Sequence, residues 1–169
     1  FRDAKEKVNA MRKLKLYLDT SVWNFFFADD APRERDVTKE FFDLIQRGYY
    51  EVYISEVVLD EIRDAPETKK NQLLGLVEKY NPIELEVTSE VKDLAVKYIE
   101  KKIVPEKKEN DALHVAIATV NEVDALVSWN YHHLANLRKA ELFHGANLEE
   151  RYLKRIEIVT PMEVSSYES

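Results

Sequence analysis

The chain has no cysteine, and its 169 residues include only three glycines and five prolines. Without cysteine, disulfides and thiolate metal sites are excluded, and four histidines alone argue against structural zinc. No apolar run reaches the length that a membrane span needs, and no signal peptide is apparent. The expected location is therefore the cytoplasm, with no membrane partner. Positive charge is also in deficit: 25 Lys and Arg face 32 Asp and Glu, a formal net charge of −7. That balance argues against a generic nucleic-acid coat, although net charge governs solubility and steering and leaves local chemistry open.

The remaining composition is that of a folded protein. Hydrophobic residues make up 45% of the chain, enough for a core, and 34% charged residues of mixed sign do not suggest disorder. A chain of this length is expected to form one domain that buries roughly two thirds of its unfolded surface. Met11 directly precedes Arg12-Lys13 and the first apolar run. Residues 1–10 are read as an N-terminal extension or expression remnant, and residues 11–169 as the domain.

Hydrophobic periodicity supplies the elements. Leu14 to Leu18 alternates as a strand. A loop with Phe25, Phe26 and Phe27 follows, and then a helical pattern of Val37, Phe41, Leu44 and Ile45, stopped by Gly48. Glu51 to Ser55 alternates again. Two helices follow, one through Val57, Val58 and Ile62 as far as Pro66, the other over about residues 67–80. Ile83, Leu85 and Val87 mark a third strand, and Thr88-Ser89 caps a helix through Ile99. Asn110 is read as the cap of a helix that is apolar nearly all round, which predicts a central position. Residues 125–128 and 156–159 complete five strands, the last ended by Thr160-Pro161. Strands alternating with helices predict an α/β fold, a three-layer αβα sandwich with a mainly parallel five-stranded sheet.

Asp19 carries the most chemistry. It stands at the carboxyl end of the first strand, the edge where open α/β sheets bind ligands. Glu61, in the helix after the second strand, and Asp111, at a helix start, fall where such a fold brings them to the same edge. Each has a bland explanation. Asp19 before Thr20-Ser21 can cap a helix, Glu61 can lie on a solvated face, and Asp111 suits a helix dipole. Together, three acids with no basic partner close in sequence suggest a divalent cation held by oxygen, and hydrolysis of a phosphodiester. His114 lies one turn from Asp111 and can touch such a site, but a packed or surface role is the simpler reading. The adjacent His132 and His133 lack the spacing of a helical metal pair and are read as exposed.

Four segments in order extend the argument: Leu16-Tyr17-Leu18-Asp19-Thr20-Ser21 with Asn24; Ile54-Ser55 through Leu59-Asp60-Glu61-Ile62; Asn110-Asp111-Ala112-Leu113-His114-Val115-Ala116; and Asp124-Ala125-Leu126-Val127-Ser128-Trp129-Asn130. This set resembles the PIN-domain nucleases, particularly the VapC-type toxins of prokaryotic toxin–antitoxin pairs. The resemblance implies a Mg²⁺- or Mn²⁺-dependent ribonuclease, with Asp19, Glu61 and Asp111 at the metal and Ser21 supporting Asp19. It also implies an RNA substrate, an antitoxin partner and a homodimer. Many members place a fourth acid where this chain has Asn130, so one negative charge is missing and a second cation should bind more weakly.

Two rival classes share part of this pattern. A haloacid-dehalogenase-type phosphatase needs a second Asp two residues after the first, where this chain has Ser21. A PIN-like RNA- or protein-binding module with a weakened site is the stronger rival: Asn130 favours it and the three acids oppose it. For substrate contacts, Arg33, Arg35, Lys101, Lys102, Lys107 and Lys108 could form a phosphate-guiding rim or simply be solvated. Trp23 and the three phenylalanines could stack bases, although core packing or a protein contact suits them better.

Overall fold

The computed structural model describes residues 12–132 and 134–168. The reading of residues 1–10, and that of His133, lie outside this range. Five strands form one sheet: β1 (Leu14–Leu18), β2 (Tyr50–Ser55), β3 (Ile83–Leu85), β4 (Ala125–Val127) and β5 (Glu157–Val159). Their order is β3-β2-β1-β4-β5, and every pairing is parallel. β1 is central, with Leu16 opposite Val52 on one side and Ala125 on the other. Leu16, Tyr17 and Leu18 are wholly buried, as a strand covered on both faces must be.

Among the described residues, eight α-helices accompany the sheet: α1 (Thr20–Phe25), α2 (Pro32–Gln46), α3 (Glu56–Arg63), α4 (Glu67–Tyr80), α5 (Ser89–Glu100), α6 (Glu109–Val120), α7 (Leu137–Glu149) and α8 (Pro161–Ser166). A short 3₁₀ turn, Glu106–Lys108, leads into α6. Most helix contacts fall into two groups, bridged where α3 meets α6. α5 packs on α6 and α7, while α1 touches α2, α3 and α4, and α2 packs on α8. The groups cover opposite faces of the sheet, which is the predicted three-layer arrangement. No helix among the described residues is long and apolar enough to cross a membrane.

Gly48 stops α2 as expected, at φ +83°. Three local readings need correction. The stretch read as a loop around Phe25, Phe26 and Phe27 is preceded by a helix, α1, which Asp19 caps and whose Thr20, Val22 and Trp23 are buried. Asn110 is not a cap; α6 begins one residue earlier, at Glu109. β3 ends at Leu85, short of Val87. Thr160-Pro161 does end β5, but it also opens α8 through a capping box with Glu163, in which each residue's side chain accepts from the other's backbone N–H at 3.2 Å. α7 is an element the periodicity did not reveal. Its burial rests on Phe143, Ala146 and Asn147, while Leu137, Leu142 and Leu148 face outward.

The topology fixes where a site can form. From β1 the chain runs through β2 to β3 on one side, and then crosses to β4 and β5 on the other. The loops leaving β1 and β4 therefore diverge, and a crevice opens between their carboxyl ends.

Candidate active site at the carboxyl edge of the sheet

Asp19 occupies that crevice. It leaves β1 in extended conformation, caps α1 by accepting from Ser21 N–H, and is only 4% exposed. The capping reading of Asp19 thus holds. Two hydroxyls clamp it: Ser21 Oγ donates to Oδ1 and Ser128 Oγ to Oδ2, each at 2.5 Å. The direction of both bonds is set by the backbone. Trp129 N–H donates to Ser21 Oγ at 2.9 Å and Asn130 N–H to Ser128 Oγ at 3.0 Å. Each hydroxyl has one proton, so accepting from an amide leaves that proton to point at Asp19. The network ties the loop after β4 to the start of α1 across the switch point.

Glu61 reaches the same region from α3. Its Oε1 accepts from Thr20 Oγ1 at 2.9 Å and from His114 Nε2 at 2.8 Å. His114, on α6, is 2% exposed, and its Nδ1 lies 2.8 Å from the Tyr17 hydroxyl. Asp111, in the first turn of α6, has Asn130 Nδ2 at 3.5 Å from Oδ2, a long contact. The structure therefore links all five predicted site residues, Asp19, Ser21, Glu61, Asp111 and Asn130, through short chains of contacts at one edge. Thr20, Ser128 and His114 were not assigned roles from sequence. Their signals were weak: hydroxyls directly after strands, and a histidine one turn beyond an acid. Of the two simple readings of His114, packed or at the surface, the packed one holds, and the ring is also bonded to Glu61.

Electrostatics follow from burial. Burial pushes the Asp19 carboxyl above its ordinary value, and His114, Ser128, Ser21 and the Val22 amide only partly offset this. None of those groups is a lysine or arginine. Glu61, more open to solvent, goes the other way. Burial would raise it, but the His114 hydrogen bond and charge, with Thr20, hold it below the usual value. Burial works against a charge on His114, yet the Glu61 bond and the charges of Asp19, Glu61 and Asp111 outweigh it and raise its affinity for a proton. All three acids thus act on one buried ring. The Tyr17 hydroxyl is pushed far above the phenol range, chiefly by burial.

Among the described residues, no group of three or more His, Asp or Glu side chains is arranged to hold a metal ion as it stands. The donor set nevertheless has the chemistry of a hard-cation site, with carboxylate oxygens, an amide and hydroxyls, and a buried Asp19 with no lysine or arginine among the groups that offset its charge. Asp19, Glu61 and Asp111 are the carboxylates at this edge that could hold such an ion, with Asn130 and Ser21 bonded beside them.

The surrounding readings divide. Arg35 is committed to Asp29 at 2.9 Å and Asp36 at 3.1 Å, and Lys101 to Glu149, which removes two members of the supposed basic rim. Lys107 and Lys108 remain exposed immediately before α6. Trp23 is buried against Phe42, and Phe25 packs near Trp129 with ring centroids 5.8 Å apart, so these aromatics serve the core.

An open parallel sheet with acids gathered at its switch point defines a class, that of α/β proteins with an anionic carboxyl-edge site. The PIN domain family model matches residues 15–132, which take in most of the sheet and Asp19, Glu61 and Asp111, and the chain belongs to that family. Among solved structures, it is similar to Mycobacterium tuberculosis VapC20, described as a sarcin–ricin-loop-cleaving toxin. That match has 17% identity, covers 70% of this chain and 92% of the other, and has a TM-score of 0.55. It is also similar to VapBC2 from Rickettsia felis, solved with a DNA fragment from its promoter, at 13% identity, 87% and 98% coverage, and a TM-score of 0.56. At these identities the likeness concerns the fold. A search of curated protein sequences gives no match.

Proposed function

We propose that this protein is a divalent-metal-dependent ribonuclease that hydrolyses RNA phosphodiester bonds, using Mg²⁺ or Mn²⁺. One observation carries the reading: hydrogen bonds through Thr20, His114, Ser128 and Asn130 tie Asp19, Glu61 and Asp111, from α1's cap, α3 and α6, to one edge of the sheet. When bound, the ion supplies Lewis-acid charge that activates water and offsets charge building on the phosphate. Asp19, Glu61 and Asp111 hold it. Ser21 and Ser128 keep both Asp19 oxygens oriented, and Asn130 steadies Asp111 and orients the attacking water. Lys107 and Lys108 guide the RNA backbone toward α6.

The likeness to VapC and VapBC structures supports a toxin role, with a cognate antitoxin as partner and a homodimer as the working form in the cytoplasm. Asp19→Asn tests the chemistry. It keeps the size and one acceptor oxygen of Asp19 but removes its charge, so metal-dependent cleavage of RNA by the purified protein should be lost. Cleavage at the wild-type rate would place the activity elsewhere.

Asn130 and the incomplete convergence of the acids favour a second reading, an RNA- or protein-binding module that no longer turns over. The two separate in a calorimetric titration with Mn²⁺. The nuclease takes up the ion, and Glu61→Gln weakens that uptake; the binding module shows neither effect.

A further inference from the structure

Glu61 is the end of a line of side chains that begins inside the core. Ser55 closes β2, Tyr17 lies in β1 and His114 in α6, and all three are at most 2% exposed. Ser55 Oγ is 2.7 Å from the Tyr17 hydroxyl, which is 2.8 Å from His114 Nδ1. His114 Nε2 is in turn 2.8 Å from Glu61 Oε1. Polar groups in a core cost free energy unless they are paired, and apolar residues of similar shape would fill this space without that demand. A fully satisfied line of this kind fixes geometry.

We propose that Ser55, Tyr17 and His114 are positioning residues that hold Glu61 for cation binding. This inference rests on the nuclease reading above. A carboxylate only accepts, so Nε2 must donate to Oε1 whether the ring is neutral or charged. With the ring neutral, Ser55 donates to Tyr17 and Tyr17 to Nδ1; with it charged, Nδ1 donates to Tyr17 and Tyr17 to Ser55. Either order keeps the ring in place. Thr20 Oγ1 adds a second donor to Oε1 at 2.9 Å, and among the described residues no donor reaches Oε2. Oε1 is thereby anchored, and Oε2 is left for the cation. Glu61 is partly exposed and has three side-chain torsions, so without the anchor it would sample many rotamers.

The test uses the full chain in four forms: wild type, H114L, H114Q and Y17F. Each is measured for Mn²⁺ affinity by calorimetry, for kcat and KM on an unstructured RNA, and for thermal unfolding. H114L removes the donor at similar volume and should weaken Mn²⁺ binding about 10–100-fold, as loss of a ligand's supporting bond does. Its kcat should fall with it while KM for RNA is unchanged. H114Q returns an N–H toward Oε1 and should recover most of the loss, with Y17F between the two. Equal impairment of H114L and H114Q would assign the effect to packing and overturn the relay. If H114L does not fold, Y17F decides, and unchanged Mn²⁺ affinity there overturns it. A wild type that binds Mn²⁺ alongside an unaffected H114L defeats the relay alone. A wild type that binds none defeats the nuclease reading as well.

Discussion

At the residue scale, Asn130 has the clearest consequences. Its backbone N–H donates to Ser128 Oγ, and its amide nitrogen stands 3.5 Å from Asp111 Oδ2. An amide there can be a donor to Asp111, whereas a carboxylate would repel it. Asn130→Asp should therefore destabilise the protein in chelator, by about 1 kcal/mol if the repulsion is solvent-screened. With Mn²⁺ present the sign reverses: an added hard, charged oxygen beside Asp111 should tighten ion binding and raise the cleavage rate. Paired melts in EDTA and in Mn²⁺ check this, and a variant whose melting point ignores the ion would count against Asn130 lying at a cation site. The same residues show how far the site could be read from sequence. Asp19, Glu61 and Asp111 were legible because each follows a strand or opens a helix, and parallel topology alone gathers such positions. Ser128 and His114 were not, because their importance lies in which atoms they face across 109 and 53 residues of chain.

At the scale of elements, the end of the sheet opposite the site is tied by Asp124, just before β4. Its Oδ2 accepts from Lys15 N–H in β1 at 2.8 Å, and its Oδ1 from Lys154 Nζ at 2.9 Å. Lys154 also donates to the Glu122 carbonyl at 2.8 Å, so three segments meet on one carboxylate. Burial would raise the Asp124 carboxyl, but the Lys15 amide and Lys154 overcome this and hold it below the ordinary value. A depressed carboxyl stabilises the fold fully above the unfolded-state pKa, and the benefit is lost as pH falls through the folded one. Asp124→Asn should cost about 1 kcal/mol near neutrality, with solvent access limiting the ion-pair share. Denaturant titrations of both proteins should converge as pH drops below the ordinary aspartate range; a constant gap would show that charge is not the cause. Elements differ in how openly the sequence announces them. β1 was legible because its apolar residues recur where burial requires them, and α2 because Gly48 ends it. α7 was not, since its leucines point outward and its buried side includes the polar Asn147. α1 was hidden because six residues are too few for a helical period to show.

For the molecule as a whole, the net charge of −7 and a buried Asp19 pose one problem twice. Folding concentrates negative charge, and it buries one carboxyl whose offsetting groups include no lysine or arginine. A hard divalent ion at the site would relieve both, and any ligand that binds only the folded state stabilises it by mass action. At one hundred times its dissociation constant the gain is about 2.7 kcal/mol. For a chain of this size that corresponds to a rise in melting temperature of roughly 5–10 °C. Screening by salt also stabilises an acidic protein, so the decisive comparison is MgCl₂ against KCl at matched ionic strength. Mg²⁺ should exceed KCl by that margin, EDTA should reverse the gain, and Asp19→Asn should abolish it while responding to KCl as the wild type does. Were KCl to match MgCl₂, general screening would suffice and the cation would have no site at the carboxyl edge of the sheet.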